Sequence, residues 1–156
     1  MASELAYQLH AGGATDRLCE CLSTMEVFLV LYAGETQYEV LSYWSAMGEN
    51  TDIEGEYARG VERWAIDDAG ERSGGLGGVA HLLERLGRWA GAIALQRARL
   101  ALAIGRGDIS QEASSRRGLG ELMTRRGEYD DALEELTQAL ELFTELGDRR
   151  GISTAI

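Results

Sequence analysis

Proline is absent from this chain of 156 residues, cysteine and histidine occur twice each, and bases are outnumbered 15 to 26 by acids. Without proline, and without a β-branched run of strand length, the composition leans to an all-helical fold. A net charge of −11 argues against nonspecific binding to nucleic acid or to an anionic membrane, both of which need a cationic footprint. Cys19 and Cys21 are two apart, and helical geometry sends such neighbours to different sides. A disulfide is therefore not expected, and no second ligand pair exists for zinc. Both read as small apolar residues of a reducing compartment. The longest apolar run, MEVFLVLYA at 25–33, is too short to span a bilayer and lacks the flanks of a signal peptide. A soluble, cytoplasmic protein is expected.

The two histidines also limit chemistry. Nucleophilic catalysis needs Ser or Cys beside a His and an orienting carboxylate, but His10 and His81 stand about seventy residues apart. His81 and Glu84 form one His-x-x-Glu on a helical face, whereas helical di-metal sites need that element twice with further inward carboxylates. The acids Glu128, Asp130, Asp131, Glu134 and Glu135 suit the first turn and solvated face of a helix. They lack the central glycine of a calcium loop. No catalytic residue, metal or cofactor is expected; a small helical enzyme would need a polar pocket around His81.

Glycine is plentiful, at 20 residues, and several fall where helices should stop. Gly34, Gly48, Gly70, Gly87, Gly107, Gly127 and Gly147 are of this kind. In the first 70 residues the reading is a run of short helices, with Ser3, Thr15, Thr36 and Thr51 as N-caps. Leu18 and Leu22 share one face. Val27 to Tyr32 is apolar all round and reads as a buried helix. Tyr38, Leu41, Trp44 and Met47 form the next stripe, and Ile53, Tyr57, Val61, Trp64 and Ala65 the one after. The aromatics Tyr7, Phe28, Tyr32, Tyr38, Tyr43, Trp44, Tyr57 and Trp64 read as core. SGGLGG at 73–78 reads as a seam, suiting a hinge or a weak first turn; it lacks the Lys-Ser or Lys-Thr and the preceding strand of a phosphate loop. The expected division is a helical subdomain at 1–72 and repeats at 73–156.

The second half repeats itself with a period of 40. LLERLGRWAGAIALQRARLAL (82–102) overlies LMTRRGEYDDALEELTQALEL (122–142), bringing Gly87 onto Gly127, Trp89 onto Tyr129, Ala92 onto Ala132 and Leu100 onto Leu140. Such self-similarity marks a stacked array of supersecondary units. The pattern gives antiparallel helix pairs, 76–86 with 89–105 and 110–126 with 129–146. RRGISTAI (149–156) would begin another first helix, so the chain is expected to be part of a longer protein. An incomplete array leaves an apolar end, and self-association is expected from it.

Leu119-Gly120, Met123, Gly127, Tyr129, Ala132, Leu136, Ala139 and Leu140 closely resemble the signature positions of the tetratricopeptide repeat. Small residues at Gly120, Ala132 and Ala139 let helices approach; Leu119, Met123, Tyr129 and Leu136 are expected to fill the space between turns. The preceding unit is a degenerate copy, with Gln96 for a large apolar residue and Arg99 for a small one. The 40-residue spacing resembles the longer variant of kinesin light chains and of regulatory arrays in large bacterial ATPases. Residues from Leu5, Tyr7 and Leu9 through Phe28-Leu29 and Leu31-Tyr32 to Tyr43-Trp44 resemble the helical segment after the ATPase module of STAND and nephrocystin-like proteins. No ATPase motif is present.

These resemblances imply a right-handed all-α array of antiparallel helical hairpins that recognises a protein or peptide. They place Ser114, Arg117, Glu121, Thr124 and Arg125 along its groove, with His81, Glu84 and Arg85 at the equivalent positions of the first unit. Alternating Arg and Glu would clamp an extended peptide or its carboxylates. The alternative is an intramolecular structural or autoinhibitory segment with no independent ligand.

Overall fold

The computed structural model describes residues 2–147. The expected helix at 149–156 lies outside the described residues. Among the described residues the fold is all-α, without a strand: α1 (Ala2–Ala11), α2 (Thr15–Ser23), α3 (Met25–Tyr32), α4 (Gln37–Ala46), α5 (Ile53–Arg63), α6 (Ala69–Arg85), α7 (Trp89–Arg106), α8 (Ile109–Arg126) and α9 (Tyr129–Leu146). The order is that of a tetratricopeptide-like helical array. The chain divides into two compact units, Met1–Leu86 and Gly87–Ile156.

In the first unit, Leu18, Leu22, Met25, Phe28, Val40, Trp44, Ile53 and Tyr57 are buried. The run at 25–33 is helical as expected, and its buried face carries Met25, Phe28 and Leu31. Trp44 Nε1 donates a 2.9 Å hydrogen bond to the Tyr57 hydroxyl, which gives both polar tips a partner in an otherwise apolar core. The Phe28 ring meets Tyr57 edge-on at 5.4 Å between centroids. Both cysteines are free thiols. Burial pushes each thiol up from its ordinary value, and Cys19 Sγ lies 3.4 Å from Met47 Sδ.

Several local expectations are corrected. Ser3 lies inside α1. Thr15 opens α2 as its first residue, after Ala14. Thr36 precedes α4, but its hydroxyl donates back to the Leu31 carbonyl and closes α3. Thr51 likewise donates to Met47 O at 3.0 Å, leaving Asp52 to cap α5 through a 3.0 Å bond from Gly55 N. Both hydroxyls are oriented back to the preceding helix's carbonyls rather than forward to the amides of the next. The helix expected to run through Trp64 stops at Arg63. Asp68 then caps a new one, accepting from Glu71 N at 2.8 Å.

Gly70 therefore lies in the first turn of α6, and the glycine-rich stretch 73–78 lies in its interior rather than at a seam. Two of its glycines, Gly75 and Gly78, serve packing. A Cβ on Gly75 would stand 2.5 Å from Trp64 Cη2, and one on Gly78 would stand 3.2 Å from Phe28 Cε1.

The second unit is built from α7, α8 and α9. Gly107 and Gly127 end α7 and α8 with φ of +67° and +84°, a left-handed conformation that L side chains disfavour. The following amides close each end: Asp108 N to Ala103 O at 3.0 Å, and Glu128 N to Met123 O at 2.9 Å. This six-residue bond is the Schellman closure. Asp108 at once caps α8 through Gln111 N at 3.0 Å. Leu119, Met123, Ala132 and Ala139 are buried as the repeat pattern requires. Tyr129 is not: it is 68% exposed, because side chains lean toward the helix N-terminus and it is the first residue of α9.

Candidate functional site

Two faces of α8 are taken by its neighbours. Toward α9, Ala113 packs with Ala139 and Phe143, and Gly120 admits Leu136. Arg116 reaches Glu112 on its own helix at 2.9 Å and Glu135 on α9 at 3.0 Å. Burial alone would lower the Arg116 pKa, yet the hydrogen bonds it donates to both carboxylates raise it above its ordinary value. Toward α7, Gly118 faces the Gln96 amide, and a Cβ on this glycine would stand 3.2 Å from Nε2.

The two residues that depart from the repeat pattern form a polar layer on that side. Arg99 donates to Gln96 Oε1 at 3.2 Å and to Gln111 Oε1 at 3.5 Å. Burial pushes the Arg99 pKa down. In the sequence Gln96 and Arg99 stand out as deviations, but their mutual role does not. A polar pair three apart on one helix was the available signal.

Between those two faces runs a third, and it carries all five positions expected on α8. Offsets of three, seven, ten and eleven from Ser114 keep Arg117, Glu121, Thr124 and Arg125 within about 100° of arc at 3.6 residues per turn. Ser114 and Arg117 are half-buried, and Glu121, Thr124 and Arg125 are exposed. Arg117 Nε approaches Glu121 Oε1 at 3.7 Å, too far for a hydrogen bond. That Nε is buried and makes no hydrogen bond. The Thr124 hydroxyl donates to Gly120 O on its own helix at 2.7 Å.

In the first unit, His81, Glu84 and Arg85 share a face of α6 but have local engagements. His81 Nδ1 lies 2.6 Å from the Tyr32 hydroxyl. Burial first, and Arg85 second, hold the imidazole below its ordinary pKa. The Arg85 guanidinium lies over the Tyr38 ring, 5.4 Å from its centroid. Glu84 is half-buried. Among the described residues no group of three or more His, Cys, Asp or Glu could hold a metal, and no helix is long and apolar enough to cross a membrane.

A cleft in the first unit falls outside every expected position. It measures about 570 Å³ and is lined by Glu4 and Tyr7 of α1 and by Tyr38, Glu39, Ser42 and Tyr43 of α4. Tyr7 and Tyr38 were expected in the core but are 64% and 63% exposed. The buried stripe of α4 is Val40 and Trp44, rotated away from the expected Tyr38–Leu41–Trp44 line.

Residues 73–145 match the family model described as tetratricopeptide repeat. In structure, 99% of the chain is similar to BtubC (BKLC) from P. vanneervenii, with a TM-score of 0.55 and 19% sequence identity. At that identity the likeness concerns the fold alone. The chain spans 57% of the length of that protein chain. No curated protein matches the sequence.

Proposed function

Tetratricopeptide repeats generally mediate protein–protein interactions, and we propose that this chain is a non-catalytic protein-binding module whose contact surface includes the outward face of α8. The observation that carries this reading is Arg117, whose buried Nε makes no hydrogen bond and stands 3.7 Å from its nearest acid. The side chain as a whole is 31% exposed, so an incoming carboxylate would meet the outer edge of the guanidinium, with the bidentate geometry that guanidinium favours. Glu121 alternates with Arg117 and Arg125, which suits an extended peptide with acidic residues spaced by neutral or basic ones. His81, Glu84 and Arg85 are proposed as the corresponding positions of the first repeat, with the repeat segment beginning at residue 73.

The test is a fluorescence-polarisation screen of short acidic peptides against the wild type and an Arg117→Glu, Arg125→Glu variant. Binding by the wild type that falls at least tenfold in the variant supports the reading. Absence of binding, or binding indifferent to the charge reversal, contradicts it.

The finer setting rests on sequence likeness. The 40-residue spacing supports the kinesin-light-chain type of repeat, and the pattern from Leu5 to Trp44 supports a cytoplasmic regulatory segment of a larger signalling ATPase of the STAND class. In that setting the ligand of the α8 face is either another protein or a segment of the same polypeptide. Self-association is a further proposal, supported by Tyr129 and Leu133, which are 68% and 67% exposed one turn apart on α9. Light scattering across a concentration series tests it: a Leu133→Glu variant that stays monomeric where the wild type dimerises supports this face, and a monomeric wild type removes it.

A further inference from the structure

The cleft between α1 and α4 has a chemistry distinct from the α8 face. Among its described lining residues, Tyr7, Tyr38 and Tyr43 are phenols, Glu4 and Glu39 are carboxylates, and the other is Ser42. None of these is basic. Aromatic faces carry negative electrostatic potential, so a cation held against them is attracted. Carboxylates at the rim add to that attraction, and the chain's net charge of −11 steers cations toward it.

Two features give the cleft its chemistry. Tyr7 and Tyr38 expose large ring surface to water at its walls, a cost that a core position would have avoided. Tyr43 is held in place from one side by the His10 ring, 5.1 Å away. Its hydroxyl pKa is raised by burial first, then by Glu39 and Tyr7. Tyr38 already accepts one cation, the guanidinium of Arg85 at 5.4 Å, and Arg85 does not line the cleft.

We propose that the cleft formed by Tyr7, Tyr38 and Tyr43 with Glu4 and Glu39 receives a protruding Lys or Arg side chain of a protein partner. The phenols would enclose the cationic head by cation–π contact, and Glu4 or Glu39 would accept its N–H bonds. A volume of about 570 Å³ accommodates one such side chain with part of its backbone. This surface takes a basic ligand and the α8 face an acidic one, so the two assignments stand or fall separately.

The probes are three blocked tripeptides, acetyl-Gly-Lys-Gly-amide, acetyl-Gly-Arg-Gly-amide and acetyl-Gly-norleucine-Gly-amide, with tetramethylammonium chloride as a free cation. Each is titrated into the full chain while tyrosine ring resonances are followed by NMR at low salt. The expected result is saturable perturbation of Tyr7, Tyr38 and Tyr43 by the Lys and Arg peptides and none by the norleucine peptide. Glu39→Gln should weaken that binding at least threefold, and Tyr38→Ala at least tenfold, with unchanged helical circular dichroism. Equal binding of norleucine, or cation binding that neither variant weakens, overturns the proposal. Tighter binding of tetramethylammonium than of either peptide assigns the cleft to a free small cation and also overturns it. Absence of saturable perturbation by the Lys and Arg peptides does the same.

Discussion

Gly120 of α8 and Leu136 of α9 are matched: a Cβ on the glycine would stand 2.5 Å from Leu136 Cγ and 3.2 Å from the Ala132 carbonyl. The close pairing of these helices depends on that missing atom. In a helix interior, alanine in place of glycine is otherwise worth about 1 kcal/mol of stability. Here overpacking should reverse the sign, and Gly120→Ala is expected to lose about 1–3 kcal/mol. Adding Leu136→Ala should recover part of that loss, so the two changes cost less together than their sum. Urea unfolding of the four proteins measures this.

Gly74 and Gly75 are adjacent in α6 and should respond in opposite directions. Nothing lies within 4 Å of a Cβ on Gly74, whereas one on Gly75 meets Trp64 at 2.5 Å and Met25 at 3.2 Å. Gly74→Ala is expected to stabilise by about 0.5–1 kcal/mol through reduced backbone entropy of the unfolded chain. Gly75→Ala is expected to destabilise by about 1–3 kcal/mol. Thermal melts that move the same way for both would refute a continuous helix through this glycine-rich stretch.

Arg116 ties Glu112 to Glu135 across α8 and α9, with its side chain 15% exposed. Removing the charge while keeping the stem, by Arg116→Met, should cost about 1–2 kcal/mol, since charge-assisted bonds are lost and two acids are left facing each other. Arg126, 37% exposed and paired with Glu128 at 3.1 Å, should cost less than about 1 kcal/mol on the same change. Denaturation midpoints of the two variants give the ordering.

His81 makes the first unit sensitive to mild acid. Its pKa in the folded chain lies below the ordinary 6.5, so the unfolded chain binds a proton that the folded chain resists. Stability from this group is fully present above about pH 6.5 and is lost as pH falls from there through the lower folded value. With the ring neutral, the Tyr32 hydroxyl can donate to Nδ1; protonation removes that acceptor beside the Arg85 charge. His81→Gln keeps a polar partner for Tyr32 without titrating. Its melting temperature should therefore fall less between pH 7.5 and 5.5 than that of the wild type.

The helices of the second unit were legible in the sequence because each carries its own stop. The left-handed glycines Gly107 and Gly127 and the cap Asp108 act within a few residues. What escaped was decided at long range. Gly75 reads as a breaker until Trp64 is seen against it. Thr36 reads as a cap until its hydroxyl is found on the Leu31 carbonyl. The outward stripe of α8 came from the resemblance to the tetratricopeptide repeat, and its positions fall on one face at 3.6 residues per turn because they share one helix. The tyrosine cleft could not be read that way. Its residues come from α1 and α4, and each tyrosine taken singly looks like an ordinary core aromatic.

In the proposed function, α8 presents its Ser114–Arg125 face to a protein ligand. Backbone amide NMR of the chain, titrated with the best acidic peptide from the screen, tests this most directly. Saturable shifts are expected to concentrate on Ser114, Arg117, Glu121 and Arg125, with the α1–α4 cleft silent. Shifts confined to other surfaces, or none at saturating peptide, would contradict it.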